Sequence, residues 1–433
     1  MTVDEELGLV YLPVESPSSD FYGGERPGDN LFAESLVCVD LKTGKRKWHF
    51  QIVHHPIWDY DLSSAPILAD ISVGGKMIKA VALPSKQAFL YVFDRVTGQP
   101  VWPIEEHAVP QSDVPGEKTA ATQPFPTKPP AYARNVLRVP DDLIDFTPEM
   151  RATARDNIAR YKNGPLFQPP VIGNASLIGA MGLGTASGGT NWPGAGYDPE
   201  THIVYAQANQ SAVFPVSLRT PPAGFSDIRY VMGRNDTAFR VSEGPGFGSA
   251  ADAPQQRRPT GAVPARGAPA PPPAVPTPAP AAPAAAVGGL TVQGLSIVKP
   301  PYAVISAINL DWGEMQWQVP YGETPDAVRN HQALKGMNIP NTGQPGSVGL
   351  VVTKTLVILG DSQITTTPSH PRGAMLRAYD KATGKEVGAV LMPAPQSGSP
   401  MTYMVEGKQY IVVAVSGGAY SGEYIAYSLP SNN

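Results

Sequence analysis

The chain has 433 residues, a formal net charge of −4 and 16% charged residues, which exclude a surface built to neutralise phosphates, so nucleic acid is not an expected partner. Glycine and proline number 43 and 48, a turn-rich composition that still falls short of a wholly disordered one. The one cysteine, Cys38, excludes an internal disulfide, a CxxC zinc site and a CxxCH haem attachment within these residues.

The opening Met-Thr-Val-Asp-Glu-Glu is acidic where a secretory leader is basic, and no apolar run approaches the roughly 20 residues of a membrane span. Membrane association is left open. Val3 to Pro13 reads as a strand already in mid-course, so an N-terminal truncation is expected. Asp4 to Tyr11 has a partner in Asp198 to Tyr205, each a turn followed by a β-branched and aromatic run. Val39-Asp40-Leu41-Lys42-Thr43-Gly44-Lys45-Arg46-Lys47-Trp48 starts a second repeat, which returns at Phe93 to Trp102, Ile308 to Trp317 and Tyr379 to Gly388. Each copy reads as strand, tight turn, strand. The aspartate or asparagine caps the turn, the glycine supplies a positive φ, and the closing tryptophan, replaced by Gly388 in the last copy, is an apolar plug. Gly75 to Ala82 and Gly407 to Ala414 repeat a turn entering a buried strand.

Two segments break the pattern. Thr147 to Gly164 predicts a surface helix, with Thr147 as N-cap, Pro148 at the first position, Glu149 in the first turn and Asn163-Gly164 as the stop. Residues 251–287 are rich in proline and alanine without an apolar period and predict a flexible loop insertion. The rest is all-β, and strand–turn–strand units repeated along one chain predict a β-propeller of four-stranded blades, about four blades' worth.

The densest polar run is His54-His55-Pro56-Ile57-Trp58-Asp59-Tyr60-Asp61. Its residue types suit a metal site, a general base or a hydrogen-bonded loop alike. Further on, Lys86 stands alone between two apolar strands, where an ammonium needs a partner or an exit to solvent.

The run Trp48 to Leu62, with Lys86 placed 27 residues after Asp59, resembles the quinoprotein dehydrogenases that use pyrroloquinoline quinone (PQQ), in particular their membrane glucose dehydrogenase branch. Tyr22 to Asn30, Ser187 to Trp192 and Pro400 to Val413 support the resemblance, which extends over most of residues 1–433 outside 251–287. It implies an eight-bladed propeller of which this chain holds part, a periplasmic location, PQQ near the axis and a cation beside it, Ca2+ or else Mg2+ or a lanthanide. It also implies oxidation of a sugar or alcohol hydroxyl to a carbonyl, with ubiquinone or a separate cytochrome c as electron acceptor. Asp59 falls on the family's catalytic general base and on a metal ligand. Lys86 falls on the cation that donates to the quinone oxygens. Asn191 falls on an amide that meets the quinone, and Trp192 on an apolar wall. Ser16 stands near a metal-ligand asparagine, and Asp61 adds a carboxylate to the metal side. His54 and His55 read as structural, because such a cation favours oxygen ligands. The rival class is a non-catalytic propeller, a scaffold or binding module that kept the tryptophan repeats.

Overall fold

In the computed structural model, which describes residues 1–185, 187–234, 240–241, 290–417 and 420–428, every one of the four aspartate- or asparagine-led turns closes an antiparallel sheet. The loop expected at 251–287 lies outside the described residues. The first sheet runs β1 (Thr2–Asp4), β2 (Leu9–Pro13), β3 (Ser35–Asp40) and β4 (Arg46–Gln51). The second has β5 (Ile67–Val73), β6 (Lys76–Pro84) and β7 (Leu90–Asp94), extended by a bridge from Phe93 to Pro100. A hairpin of β8 (Ile104–Ala108) and β9 (Thr122–Pro126) follows, then helix α1 (Pro148–Ile158).

A side sheet is built from β10 (Tyr161–Lys162), β11 (Val171–Ile172), β12 (Gly179–Leu183), β15 (Val213–Arg219), β16 (Val231–Arg234) and β17 (Arg240–Val241). The third blade is β13 (Ala195–Asp198), β14 (Ile203–Asn209), β20 (Ala303–Asn309) and β21 (Glu314–Pro320); the short pair β18 (Thr291–Val292) and β19 (Leu295–Ser296) precedes its second half. The fourth is β22 (Val351–Val352), β23 (Leu356–Gly360), β25 (His370–Asp380) and β26 (Glu386–Met392), with β24 (Thr365–Thr367) beside the start of β25. A three-stranded sheet of β27 (Met401–Val405), β28 (Lys408–Gly417) and β29 (Tyr420–Ser428) comes last. Among the described residues no helix is long and apolar enough to cross a membrane.

Successive sheets are packed face to face, and strand alternation decides which face each side chain serves. Val204, Ala206 and Ala208 of β14 join one core with Ala80, Ala82 and Leu90 of the second sheet. Ile203 and Tyr205 of the same strand join another with Val357 and Leu359 of the fourth. Ile358 faces onward to Val413 and Val415 of the last. A strand buried on both faces by neighbouring sheets is the packing of propeller blades.

The repeats are the joints between blades. Trp48 lies against Gly98 of the next turn, Trp102 against Gly313 and Trp317 against Gly384, so close that a Cβ on any of these glycines would fall within 3.0 Å of the indole. Trp48 Nε1 and the Tyr11 hydroxyl both donate to the Arg95 carbonyl, at 3.2 and 2.9 Å. Trp317 Nε1 and the Tyr205 hydroxyl repeat this on Lys381, at 3.1 and 3.0 Å. Asp4 grips the Arg95 side chain at 2.7 Å and Asp198 grips Lys381 at 2.6 Å. The likeness of 4–11 to 198–205 is therefore one clamp used twice. Gly98 has φ 75°, so Gly98→Ala adds left-handed strain and overpacks Trp48; it is expected to cost about 2–4 kcal/mol. An unchanged urea midpoint would contradict the joint.

One sequence expectation needs correction. Thr147 does cap α1, accepting from the Met150 amide, but the helix ends at Ile158 rather than at Asn163-Gly164. Tyr161 and Lys162 leave it to pair in parallel with β12, and that sheet pairing outcompetes one more helical turn. In the last sheet β28 is paired on both sides, by β27 and β29, which are the two edge strands of that sheet. The exposed apolar surface belongs to its neighbours, with Met404 and Tyr424 61% and 82% exposed.

Candidate active site

The loop after β4 is pinned by its aromatic residues. Trp58 donates to the Gln168 carbonyl at 3.0 Å, and Trp58 and Tyr60 both meet the edge of Phe167. With those alternate side chains turned into the core, Asp59 and Asp61 are left to the other side, and Asp59 takes a left-handed φ of 55° that a non-glycine residue rarely adopts. Lys86 enters from the turn between β6 and β7. That turn is closed by Ser85, whose hydroxyl exchanges hydrogen bonds with the Phe89 backbone.

The three charges meet. Lys86 Nζ donates to Asp59 Oδ1 at 2.9 Å, to the Asp59 carbonyl at 3.0 Å and to Asp61 Oδ2 at 2.8 Å. The lysine side chain is 4% exposed and the two carboxylates 15% and 22%. All three ammonium hydrogens are thus used, which is what a buried lysine requires to stay charged. Burial lowers the proton affinity of Lys86, but the two aspartates outweigh it and leave its pKa raised. Burial and a hydrogen bond to Asp61 push the Asp59 carboxyl up to about 8. Burial acts on Asp61 in the same sense, but the bonds from Asp59 and Lys86 overcome it and hold Asp61 well below the usual carboxylate range. Two carboxyls beside one ammonium behave as a pair that shares a proton.

Ser16 belongs to the cluster through its backbone. Its amide donates to Asp61 Oδ1 at 2.8 Å, while its hydroxyl is given to Glu34 Oε1 at 2.5 Å. Glu34 is fully buried, and burial raises its carboxyl to about 8. Sequence reasoning passed over this residue. The available signal was an acid in Phe32-Ala33-Glu34-Ser35-Leu36, directly before an apolar strand. Asn191 borders the same loop, accepting from the Ser63 hydroxyl at 3.2 Å and, at its carbonyl, from Ser64 at 2.9 Å. The segment that carries it lies on the Lys86 backbone, so closely that a Cβ at Gly184 or Gly189 would meet the Lys86 carbonyl at 2.7 or 2.3 Å. Trp192, expected as an apolar wall, stands 59% exposed.

The two histidines hold the loop. His54 Nε2 meets Glu106 at 3.0 Å near the surface. His55 is buried, with Nε2 2.7 Å from Glu117 Oε1 and Nδ1 2.6 Å from the Gly28 carbonyl. Both ring nitrogens are thus held, one by a carboxylate and one by a backbone carbonyl, which fixes the ring in place. Burial disfavours the Glu117 carboxylate, but the bonds from His55, the Gly23 amide and the Lys118 amide prevail and hold its pKa below the ordinary glutamate value of 4.5. A depressed carboxyl adds stability that is present above the unfolded-state pKa and is lost as pH falls through the folded one. Glu117→Gln should therefore cost about 1–3 kcal/mol near neutrality and reduce the acid-side loss of stability below about pH 4.5. Urea midpoints measured from pH 7 to pH 3 check this; parallel curves for the two proteins would refute it.

Comparison with known proteins bears on what such a cluster serves. The family model described as "Glucose/ethanol/alcohol dehydrogenase, beta-propeller domain", of the PQQ type, matches residues 1–411. The glycerol dehydrogenase large subunit of Gluconobacter oxydans (strain 621H) is 30% identical over 450 residues, covering 100% of this chain and 54% of its own length. The quinoprotein glucose dehydrogenase of Escherichia coli (strain K12) is 30% identical over 443 residues, covering 99% and 48%. The chain therefore spans about half the length of these curated relatives. The crystal structure of quinohemoprotein alcohol dehydrogenase from Comamonas testosteroni matches with a TM-score of 0.51 at 20% identity, covering 96% of this chain and 43% of that one; it shows a shared fold. With blades packed face to face and a family model that matches residues 1–411, the chain belongs to the PQQ-dependent glucose/ethanol/alcohol dehydrogenase family of β-propellers.

Proposed function

We propose that this chain carries the proton-accepting side of a PQQ-dependent dehydrogenase that oxidises a hydroxyl of a sugar, polyol or alcohol to a carbonyl. The observation that carries the reading is Lys86, buried and held by both Asp59 and Asp61, a costly arrangement that a scaffold would not need.

The donor set suits a hard cation and an anionic cofactor. Asp59, Asp61 and Ser16 offer only oxygen, the chemistry that calcium, magnesium or a lanthanide prefers, and one carboxylate oxygen of Glu34 is buried without a partner. Among the described residues no three acidic, histidine or cysteine side chains are grouped to hold an ion alone, so further ligands would come from elsewhere. Asp59, Ser16 and Asp61 would hold the cation, and Lys86, Asn191 and Trp192 would line the quinone. When bound, the quinone supplies a two-electron acceptor and the cation a Lewis acid.

The chain's own residues do the rest. Asp59 takes the substrate hydroxyl proton, a task for a carboxylate held within hydrogen-bond reach of the substrate. Lys86 offers a fixed positive charge to oxygen atoms that become electron-rich on reduction. Asp61 and the Ser16 amide hold that ammonium and carboxylate in register. We place the enzyme in the periplasm, with electrons leaving to ubiquinone or a separate cytochrome c. The test is dye reduction with PQQ and calcium, using glucose, glycerol, quinate and ethanol as substrates, on residues 1–433 alone and joined to the remaining blades of a relative. Turnover by the joined protein with one of these substrates is expected, with weak or no quinone binding by residues 1–433 alone. A joined protein that binds no quinone would instead make this a scaffold.

A further inference from the structure

We propose that Glu34 is a positioning residue for the acidic side of the site, acting on Asp61 through Ser16. This rests on the reading of Asp59, Asp61 and Lys86 as the site. Glu34 is fully buried and sits where three segments meet. Its amide donates to the Glu15 carbonyl at 3.2 Å, and its own carbonyl accepts from Ile52 at 2.8 Å, at the end of β4. Its backbone adopts a left-handed φ of 41°, which aims the side chain off the line of β3. One carboxylate oxygen receives the Ser16 hydroxyl at 2.5 Å, and the Ser16 amide in turn reaches Asp61 at 2.8 Å.

A buried acid is costly where an apolar side chain would pack. Its hydrogen bond explains one oxygen; the other is buried with no partner. Asp61, Lys86 and Asp59 are the charged groups that act on it. Fixing Ser16 from behind keeps its amide on Asp61, and Asp61 then keeps both its lysine and its place on the cation side. Residues that orient a ligand in this way typically change metal affinity 10- to 100-fold when removed.

The experiment compares Glu34→Gln, Glu34→Ala and Ser16→Ala in the full chain, using terbium luminescence sensitised by Trp58 and Tyr60, with calcium as competitor. Glutamine still accepts from Ser16, so Glu34→Gln should bind terbium within about 2-fold of the parent, whereas Glu34→Ala and Ser16→Ala should each weaken it about 10-fold. The double alanine variant should be no worse than either single one. An unaffected alanine variant, or additive losses, would overturn the proposal. So would an equal loss in Glu34→Gln, which would make the charge itself the ligand. A parent chain that binds no terbium would count against the cation site. The positioning role is then decided by a urea double-mutant cycle of Glu34→Ala with Asp61→Asn. Coupling of roughly 3-fold or more in the unfolding constant supports it, and none overturns it.

Discussion

Asp59→Asn in the protein joined to its remaining blades should lower turnover by a factor on the order of 100 or more while leaving quinone binding nearly unchanged. The amide keeps the shape of the carboxylate and an oxygen that can face Lys86 Nζ, now 2.9 Å from Asp59 Oδ1. It cannot take a proton. Lys86 also retains Asp61, at 2.8 Å, so the cofactor side should hold its charge and the loss should fall on the rate rather than on affinity. Stopped-flow reduction of bound quinone by substrate separates the two, since dye turnover alone mixes binding with chemistry. A variant within about 3-fold of the parent in that step would remove Asp59 from the role of base.

Much of the fold was legible because blade joints depend on local residue patterns. An aspartate-led turn with glycine at φ 65–75° and a tryptophan four residues later is readable in one window, as is the Asp4 to Tyr11 match. What the tryptophans touch is not readable, because each docks on the glycine of the following turn, between 50 and 211 residues downstream. The site divides in the same way. Asp59 and Asp61 announce themselves by flanking Trp58 and Tyr60, and a lone lysine between apolar strands asks for a partner. Glu34 stayed hidden, since an acid before a strand looks like an exposed cap until the loop after β2 closes over it. Trp192 was expected from a motif alone, and the 59% exposure of its residue is a property of neighbours that no local pattern encodes. The end of α1 was misplaced because of a pairing outside the helix. A two-residue parallel pairing with a strand 17 residues downstream competes with a stop signal in a way the helix's own sequence cannot show.

The largest loss of stability is expected away from the site, in the fourth blade, from Arg377→Met. Arg377 lies in β25 and forks onto Asp361 with Nε–Oδ1 at 2.8 Å and Nη2–Oδ2 at 3.0 Å; the side chains are 4% and 0% exposed. The Met375 amide also donates to Asp361 at 3.0 Å, and the Gln396 amide to its carbonyl at 2.9 Å, so the pair ties β23, β25 and the approach to the last sheet together. Removing one member of a buried pair leaves the other uncompensated and typically costs about 3–5 kcal/mol. Burial already raises the Asp361 carboxyl above its ordinary value of 3.8, with Arg377 opposing the rise; without the arginine it should rise further. A carboxyl with a raised folded pKa binds its proton more tightly in the native state, so stability falls as pH rises from the unfolded-state pKa through the folded one. The cost of Arg377→Met should therefore be smaller near pH 4 than at pH 7, and Arg377→Met with Asp361→Leu should recover much of it by replacing charge with packing. Urea midpoints at the two pH values decide this. A pH-independent cost, or a double variant as unstable as the sum of its parts, would show that Arg377 contributes by its packing and not by its charge.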